Sequence, residues 1–170
     1  VTTGVDRFYS NGLDLDWLGA HADQLESYVA RVEGLLAAVL ALPVPTVAAV
    51  NGHAFGAGAM LALAHDVRLM RADRGFFCFP EVDIQIPFRP GMAALIQAKL
   101  APAAAAEAMT TGRRYGGPDA VAAGLVDEVA TEDELLAAAT EVARSRAGKH
   151  AGTLAAIKET LYAVPLAALR

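Results

Sequence analysis

Apolar residues recur at spacings of three and four through Leu25, Tyr28, Val29, Val32, Leu35, Leu36, Val39 and Leu40, which is the pattern of one helix face. The spacing predicts a helix from about Asp23 that Pro43 ends, with Glu26, Arg31 and Glu33 on the opposite side. The run at 46–50 reads as a short buried strand, followed by an Asn51-Gly52 turn that carries His53. Gly56-Ala57-Gly58 then opens an Ala/Leu-rich helix to about Ala64. Strands are predicted at 67–72 and 76–79 around Asp73-Arg74-Gly75, with Pro80-Glu81 interrupting the second. Helices follow at 91–100 and 103–111 on either side of Pro102. A short helix at 120–123 closes on Gly124, and 125–130 form a strand or extended link. Thr131 and Glu134 have capping-box spacing for a helix to about Ala147, and 153–164 form the last helix. At the start of the chain, 1–3 read as the tail of a strand, Asn11-Gly12 as a tight turn and Asp14 as a helix cap.

This pattern places one loop where chemistry can happen. A glycine-rich segment feeding a helix leaves the first backbone N–H groups unpaired at the positive end of the macrodipole. Such a site suits an anion or an oxygen about to become one. Ala57, Gly58 and Ala59 are small enough for a ligand to reach that backbone. A second unpaired amide is expected near Leu13, in the Asn11-Gly12 turn. Close helix packing would ask for the same glycines, so the loop alone does not decide between the two readings.

Composition narrows the class of protein. The chain has 170 residues, 55% of them hydrophobic, enough for one domain with a substantial core. Fourteen basic against nineteen acidic residues give a net charge of -5, which offers no general attraction for nucleic acid or anionic membranes. The single cysteine, Cys78, forms no internal disulfide and fits a reducing, cytoplasmic setting; its phenylalanine neighbours favour a buried, inert thiol. No signal peptide is read at the start, and the longest apolar stretch is cut by Pro43 and Pro45, so the protein is expected to be soluble. The hydrophobic excess suggests that other subunits cover some apolar surface.

Other candidate groups have ordinary readings. Glu81 alone would be a surface carboxylate after a strand, and Met60 alone is core filling or part of a pocket. His53 and His65 read as structural, a protonated His65 suiting its helix C-terminus. Asp66 and Asp83 read as hydrogen-bonding turn residues, with Asp83 the reserve acid or base. No spacing suggests a metal site, and no serine has a convincing histidine partner.

Four segments taken together are more specific. Phe8-Tyr-Ser-Asn-Gly-Leu-Asp14, Ala48-Ala-Val-Asn-Gly-His-Ala-Phe-Gly-Ala-Gly58, Pro80-Glu81 and Ala120-Val-Ala-Ala-Gly-Leu-Val126 resemble, in this order, the crotonase (enoyl-CoA hydratase/isomerase) superfamily. Within it, 65–77 and Glu81-Val-Asp-Ile84 look most like the monofunctional Δ3,Δ2-enoyl-CoA isomerases. The resemblance implies an α/β crotonase (ClpP-like) spiral of short strands flanked by helices, as a single domain over 1–170. Its core would span about 1–130, with a C-terminal helical region at about 131–170. It also implies that the N-terminal part normally preceding Val1 is missing, and that the chains assemble as a homotrimer or a dimer of trimers.

For the site, the resemblance implies an acyl-CoA substrate whose thioester carbonyl lies between the backbone N–H groups of Leu13 and Ala57. No cofactor is implied beyond the coenzyme A of the substrate. Preorganised donors of this kind are worth on the order of 3 kcal/mol each. Glu81 stands where hydratases have one of two catalytic glutamates, and Met60 stands where they have the other. Met60 cannot hold a water, so hydration is disfavoured, whereas one carboxylate suffices to move a proton from C2 to C4. Ser10, Asn11, Gly12, Phe55, Gly56 and Met60 would contact the substrate. Trp17 and Leu18 would line the acyl pocket or a trimer contact. Phe88 and Arg89 would narrow the acyl channel or pack on a neighbour. Thioester hydrolysis, hydration by another route and a non-catalytic acyl-CoA-binding subunit remain the alternatives.

Overall fold

The computed structural model describes residues 1–170. Seven short strands form two parallel sheets. One runs in the order β1 (Thr2–Thr3), β3 (Val47–Val50), β5 (Val67–Arg71) and β7 (Glu128–Ala130); the other in the order β2 (Phe8–Ser10), β4 (His53–Phe55) and β6 (Phe77–Cys78). Consecutive strands along the chain therefore alternate between sheets, and each crossover turns the chain one step further along a spiral.

Side-chain alternation gives the larger sheet two apolar faces, as expected for parallel strands covered on both sides. Val47, Ala49, Val67 and Leu69 meet Leu135 and Ala139 of one helix, Glu132–Ser145. Ala48, Val50 and Met70 turn to the main core. Beyond the short helix α1 (Leu15–Ala20), that core is built from α2 (Leu25–Leu40), α3 (Ala57–Ala64) and α4 (Pro90–Lys99), closed by the terminal helix Ala163–Leu169. The sequence-predicted α2 and α3 lie where their periodicity placed them. No helix is long and apolar enough to cross a membrane.

Five local expectations are corrected. Residues 53–55 are not part of a turn: they form β4, whose three residues become a strand only because β2 and β6 flank them. Glu33 does not face water. It is buried on α2, where Arg89 reaches it from the cap of α4, while the apolar Leu25 and Leu35 are exposed. The last predicted helix is two, Ala151–Leu161 and Ala163–Leu169, broken at Tyr162 (φ -108°, ψ 26°). The helix predicted at 120–123 begins at Gly117, with Pro118 in its first turn, and runs Gly117–Ala122. At His65, moreover, the surroundings work against the protonated form that the helix end alone would suit. It is buried, burial pushes its pKa down, and its ring nitrogens lie 2.8 Å from the Leu61 carbonyl and 3.0 Å from the Thr2 hydroxyl.

Candidate active site

Two loops meet at the end of the smaller sheet. β2 leads into the turn that carries Gly12, and β4 leads into Gly56, the residue capping α3. Both glycines take positive φ, +84° and +52°, which an L side chain adopts only with strain. A Cβ on Gly12 would lie 2.8 Å from the Phe55 carbonyl oxygen and 3.3 Å from the Ala57 amide nitrogen. One on Gly58 would overlap the carbonyl oxygen of Ser10. Glycine at these positions is what lets the two backbones touch.

The contact brings together the stretches that carry Leu13 and Ala57. Ala57 is the first residue of α3 and so has no helical acceptor for its N–H. Leu13 lies outside every strand and helix, and neither amide donates to a group of the protein. Ser10 supports the turn, its Oγ accepting from the Gly12 N–H at 3.3 Å. Asp14 then caps the following helix, Leu15–Ala20, by accepting from Trp17 N–H at 2.9 Å.

Glu81 faces these loops. The turn that follows it is held by the amides of Asp83 and Ile84, which donate to the Pro80 carbonyl, and by that of Ile86, which donates to the Glu81 carbonyl. Glu81 as a whole is only 9% exposed, and its Oε2 is buried without a hydrogen-bond partner. Oε1 would lie 3.3 Å from a Cβ on Gly56, so the absence of a side chain there also makes room for the carboxyl. Burial pushes the Glu81 pKa up from 4.5 to about 7, against a smaller lowering by its own backbone amide.

A cavity of about 280 Å³ joins these parts. Asn11, Gly12, Leu13, Phe55, Gly56, Ala57, Met60, Glu81 and Phe88 all line it. Glu81 is its one carboxylate, and Met60, three residues along α3 from Ala57, adds an apolar wall where it is itself 1% exposed. Ser10 and Trp17 lie outside the lining: Ser10 sits behind Gly12, and Trp17 stacks on His21 with ring centroids 4.2 Å apart. Leu15 and Leu18 of the same short helix line the cavity instead. Asp83 is exposed and lies over Gly112, away from this lining.

Several lining residues escaped the sequence reading. Leu25 and Val29 of α2, Ile84 and Ile86 of the turn, and Met92 of α4 complete the apolar wall. The i, i+4 spacing of Leu25 and Val29 marked a packed helix face, but nothing local says whether such a face meets core or cavity. Phe88 packs edge-to-face on Phe79 at 6.2 Å, which fixes the wall next to Glu81. Chemically, the cavity is lined by two residues whose N–H groups have no partner in the protein, one carboxyl of raised pKa, Asn11, Arg89 and otherwise mainly apolar groups. That set suits proton transfer next to a carbonyl whose oxygen becomes anionic.

Known proteins resemble this chain over most of its length. Enoyl-CoA delta isomerase 2, peroxisomal, of Arabidopsis thaliana is 38% identical over 174 residues, covering 95% of this chain and 72% of that protein. Enoyl-CoA delta isomerase 3 of the same plant is 37% identical, with the same coverage of 95% and 72%. Among solved structures, a probable enoyl-CoA hydratase from Mycobacterium tuberculosis superposes with a TM-score of 0.91 at 30% identity, covering 99% of this chain and 71% of that one. The family profile described as Enoyl-CoA hydratase/isomerase matches residues 1–165, and the chain belongs to that family.

Proposed function

We propose that this protein is an enoyl-CoA isomerase that moves a double bond from C3 to C2 of an acyl thioester. The thioester carbonyl oxygen accepts from the N–H groups of Leu13 and Ala57, and the reactive carbons lie against Glu81. The ionised carboxyl takes a proton from C2, and the electron pair spreads into the thioester as an enolate whose oxygen both amides stabilise. Glu81 then returns the proton at C4, which leaves the double bond conjugated and the carboxylate as it began. With a pKa of about 7, the group is strong enough to remove the proton and is still half ionised near neutral pH.

The observation that carries this reading is that Glu81 is the sole carboxylate of the cavity, which Met60 also lines. Water addition calls for a second group to hold the water, and methionine offers none. The relatives named as delta isomerases support the same outcome. The test is direct: purified protein given 3-enoyl-CoA should produce the 2-enoyl isomer and should add negligible water to 2-enoyl-CoA. Glu81→Gln should abolish turnover and retain binding. Full activity in that variant would overturn the base assignment, and binding of CoA esters without conversion would leave a binding subunit.

A homotrimer or a dimer of trimers belongs to the same proposal. Ile157, Leu161 and Val164 are 55%, 64% and 75% exposed near the C-terminus, an apolar row that further copies would cover. Light scattering of the purified protein measures the assembly.

A further inference from the structure

Tyr9, Thr2 and His65 form a hydrogen-bonded chain outside the cavity, and none of them lines it. The Tyr9 hydroxyl lies 2.8 Å from Thr2 Oγ1, which lies 3.0 Å from His65 Nε2. His65 Nδ1 in turn lies 2.8 Å from the Leu61 carbonyl oxygen. A carbonyl only accepts, so Nδ1 carries the hydrogen, and in the neutral ring Nε2 is the acceptor. The Thr2 hydroxyl then donates to Nε2, and Tyr9 donates to Thr2. Each role is fixed by the next, so the chain has one direction. It also crosses three elements: Tyr9 lies on β2, Thr2 on β1 and His65 at the cap that ends α3.

We infer that this chain positions the Leu13 and Ala57 amides relative to one another, by holding β2 to the far end of α3. For its effect on rate the inference rests on the isomerase reading. β2 runs through Tyr9 and Ser10 toward Leu13, and α3 begins at Ala57 and is capped at its other end by His65. At the near end of α3 a Cβ on Gly58 would lie 2.2 Å from the Ser10 carbonyl oxygen, so strand and helix touch there without slack. The chain through Thr2 supplies a second point of attachment. Two fixed points hold a strand and a helix in one orientation, whereas one lets them pivot. Protonation of His65 would undo the second point. Nε2 would become a donor, Thr2 would turn its hydrogen toward Tyr9, and the Tyr9 hydrogen would lose its acceptor in a residue only 9% exposed. Tyr9 does not shed that proton, because burial pushes its pKa up to about 12. Burial foremost, then the Val1 amino group and Lys99, oppose the charged ring, while the Leu61 carbonyl and Asp66 favour it. Arg68 and Lys99 also donate to the His65 carbonyl, at 3.4 and 2.8 Å.

Three variants test the positioning. Thr2→Val removes the link at an exposed position while keeping the side-chain shape, Thr2→Ser keeps the hydroxyl, and Tyr9→Phe breaks the chain at its other end. At pH 8, Thr2→Val and Tyr9→Phe should each lower kcat for a 3-enoyl-CoA by about tenfold with little change in KM. Both should also shift the nuclear magnetic resonance signals of the Leu13 and Ala57 amides. Thr2→Ser should match the unaltered protein in kcat and in those signals. From pH 8 down to pH 5, kcat of the unaltered protein should fall first with one proton, taken up by Glu81, and then with two as His65 joins it. Thr2→Val should follow Glu81 alone throughout. Lower thermal stability in Thr2→Val and Tyr9→Phe, with kcat, amide signals and pH profile unchanged, would leave the chain a brace for the fold and overturn the inference. Shifted amide signals in a protein that isomerises nothing would remove the isomerase reading and leave the positioning standing.

Discussion

Arg89 donates through Nε to the buried carboxylate of Glu33 at 3.1 Å and through Nη1 to the exposed Glu26 at 2.9 Å. Glu26 and Glu33 lie two turns apart on α2, so one guanidinium spans the helix stretch that presents Val29 to the cavity. The two contacts are unequal. Glu33 is 8% exposed and its partner 39%, whereas Glu26 is 79% exposed. Removing Arg89 leaves the buried Glu33 carboxyl without its partner, a change expected to destabilise the fold. Glu26→Ala should cost less than about 0.5 kcal/mol, as for other exposed pairs. Urea unfolding of Arg89→Ala and Glu26→Ala measures both, and equal losses would show that the burial of Glu33 has no energetic consequence.

The pKa of Glu81 makes stability and activity move in opposite directions with pH. In the unfolded chain the carboxyl titrates near 4.5, and in the folded chain near 7. Between those values the folded state keeps a proton that the unfolded state has released, so its contribution to stability falls as pH rises. At one unit per about 1.4 kcal/mol the loss is on the order of 3 kcal/mol, complete above the folded pKa. The base form, by contrast, grows as pH rises through about 7, and the rate of isomerisation grows with it. Glu81→Gln carries no such charge. It should match the unaltered protein in stability near pH 5, exceed it near pH 8, and isomerise nothing. Thermal unfolding at the two pH values decides; a variant less stable at pH 8 would show that the carboxylate is stabilised where it sits.

Gly12→Ala tests the proposed oxyanion site, which depends on the two loops being held together. The added Cβ must accept φ of +84° and a 2.8 Å approach to the Phe55 carbonyl. The strain costs of order 1–3 kcal/mol, and relief comes only by moving the Leu13 amide away from Ala57. Loss of one aligned donor should lower kcat by about a hundredfold or more. Steady-state kinetics with a 3-enoyl-CoA substrate, beside a circular dichroism spectrum showing retained fold, would check this. Unchanged kcat would mean that Leu13 is not a donor.

The physical range of each interaction decides how much of this was visible in the sequence. The period of α2, the run at 47–50 and the glycine loop before α3 carry local signals, since a single helix face or strand decides them. Glu81 has no local mark of function and is a candidate only because four segments together resemble one family. Glu33 looked solvent-facing, because the arginine that accounts for its burial lies 56 residues away. β4 was hidden for a similar reason: three residues become a strand only between neighbours from distant parts of the chain. The break at Tyr162 was also missed. Pro165 lies in the first turn of the final helix, where proline is tolerated, and that boundary leaves a weaker trace than a proline ending a helix.

The last prediction concerns a charge that holds the C-terminal region to the sheet. Lys158 of the Ala151–Leu161 helix is buried, and its Nζ donates to Asp66 Oδ2 at 2.7 Å and to the Val44 carbonyl at 3.1 Å. The same Asp66 oxygen accepts from the Thr46 N–H at 2.8 Å and from the Thr46 hydroxyl at 3.0 Å. One carboxylate thus joins the entrance of β3, the exit of α3 and a helix 92 residues further on. Lys158→Met removes the cation but keeps the aliphatic stem, leaving Asp66 with two neutral donors in a poorly hydrated site. The expected cost is about 3 kcal/mol. Adding Asp66→Asn removes the stranded charge while keeping an acceptor for Thr46, so the double variant should recover part of that loss. Neither residue lines the cavity, and kcat of the folded Lys158→Met fraction should stay as it was. Urea unfolding of the two single variants and the double variant, with kinetics on each, tests the coupling; additive losses would show that Lys158 and Asp66 act independently.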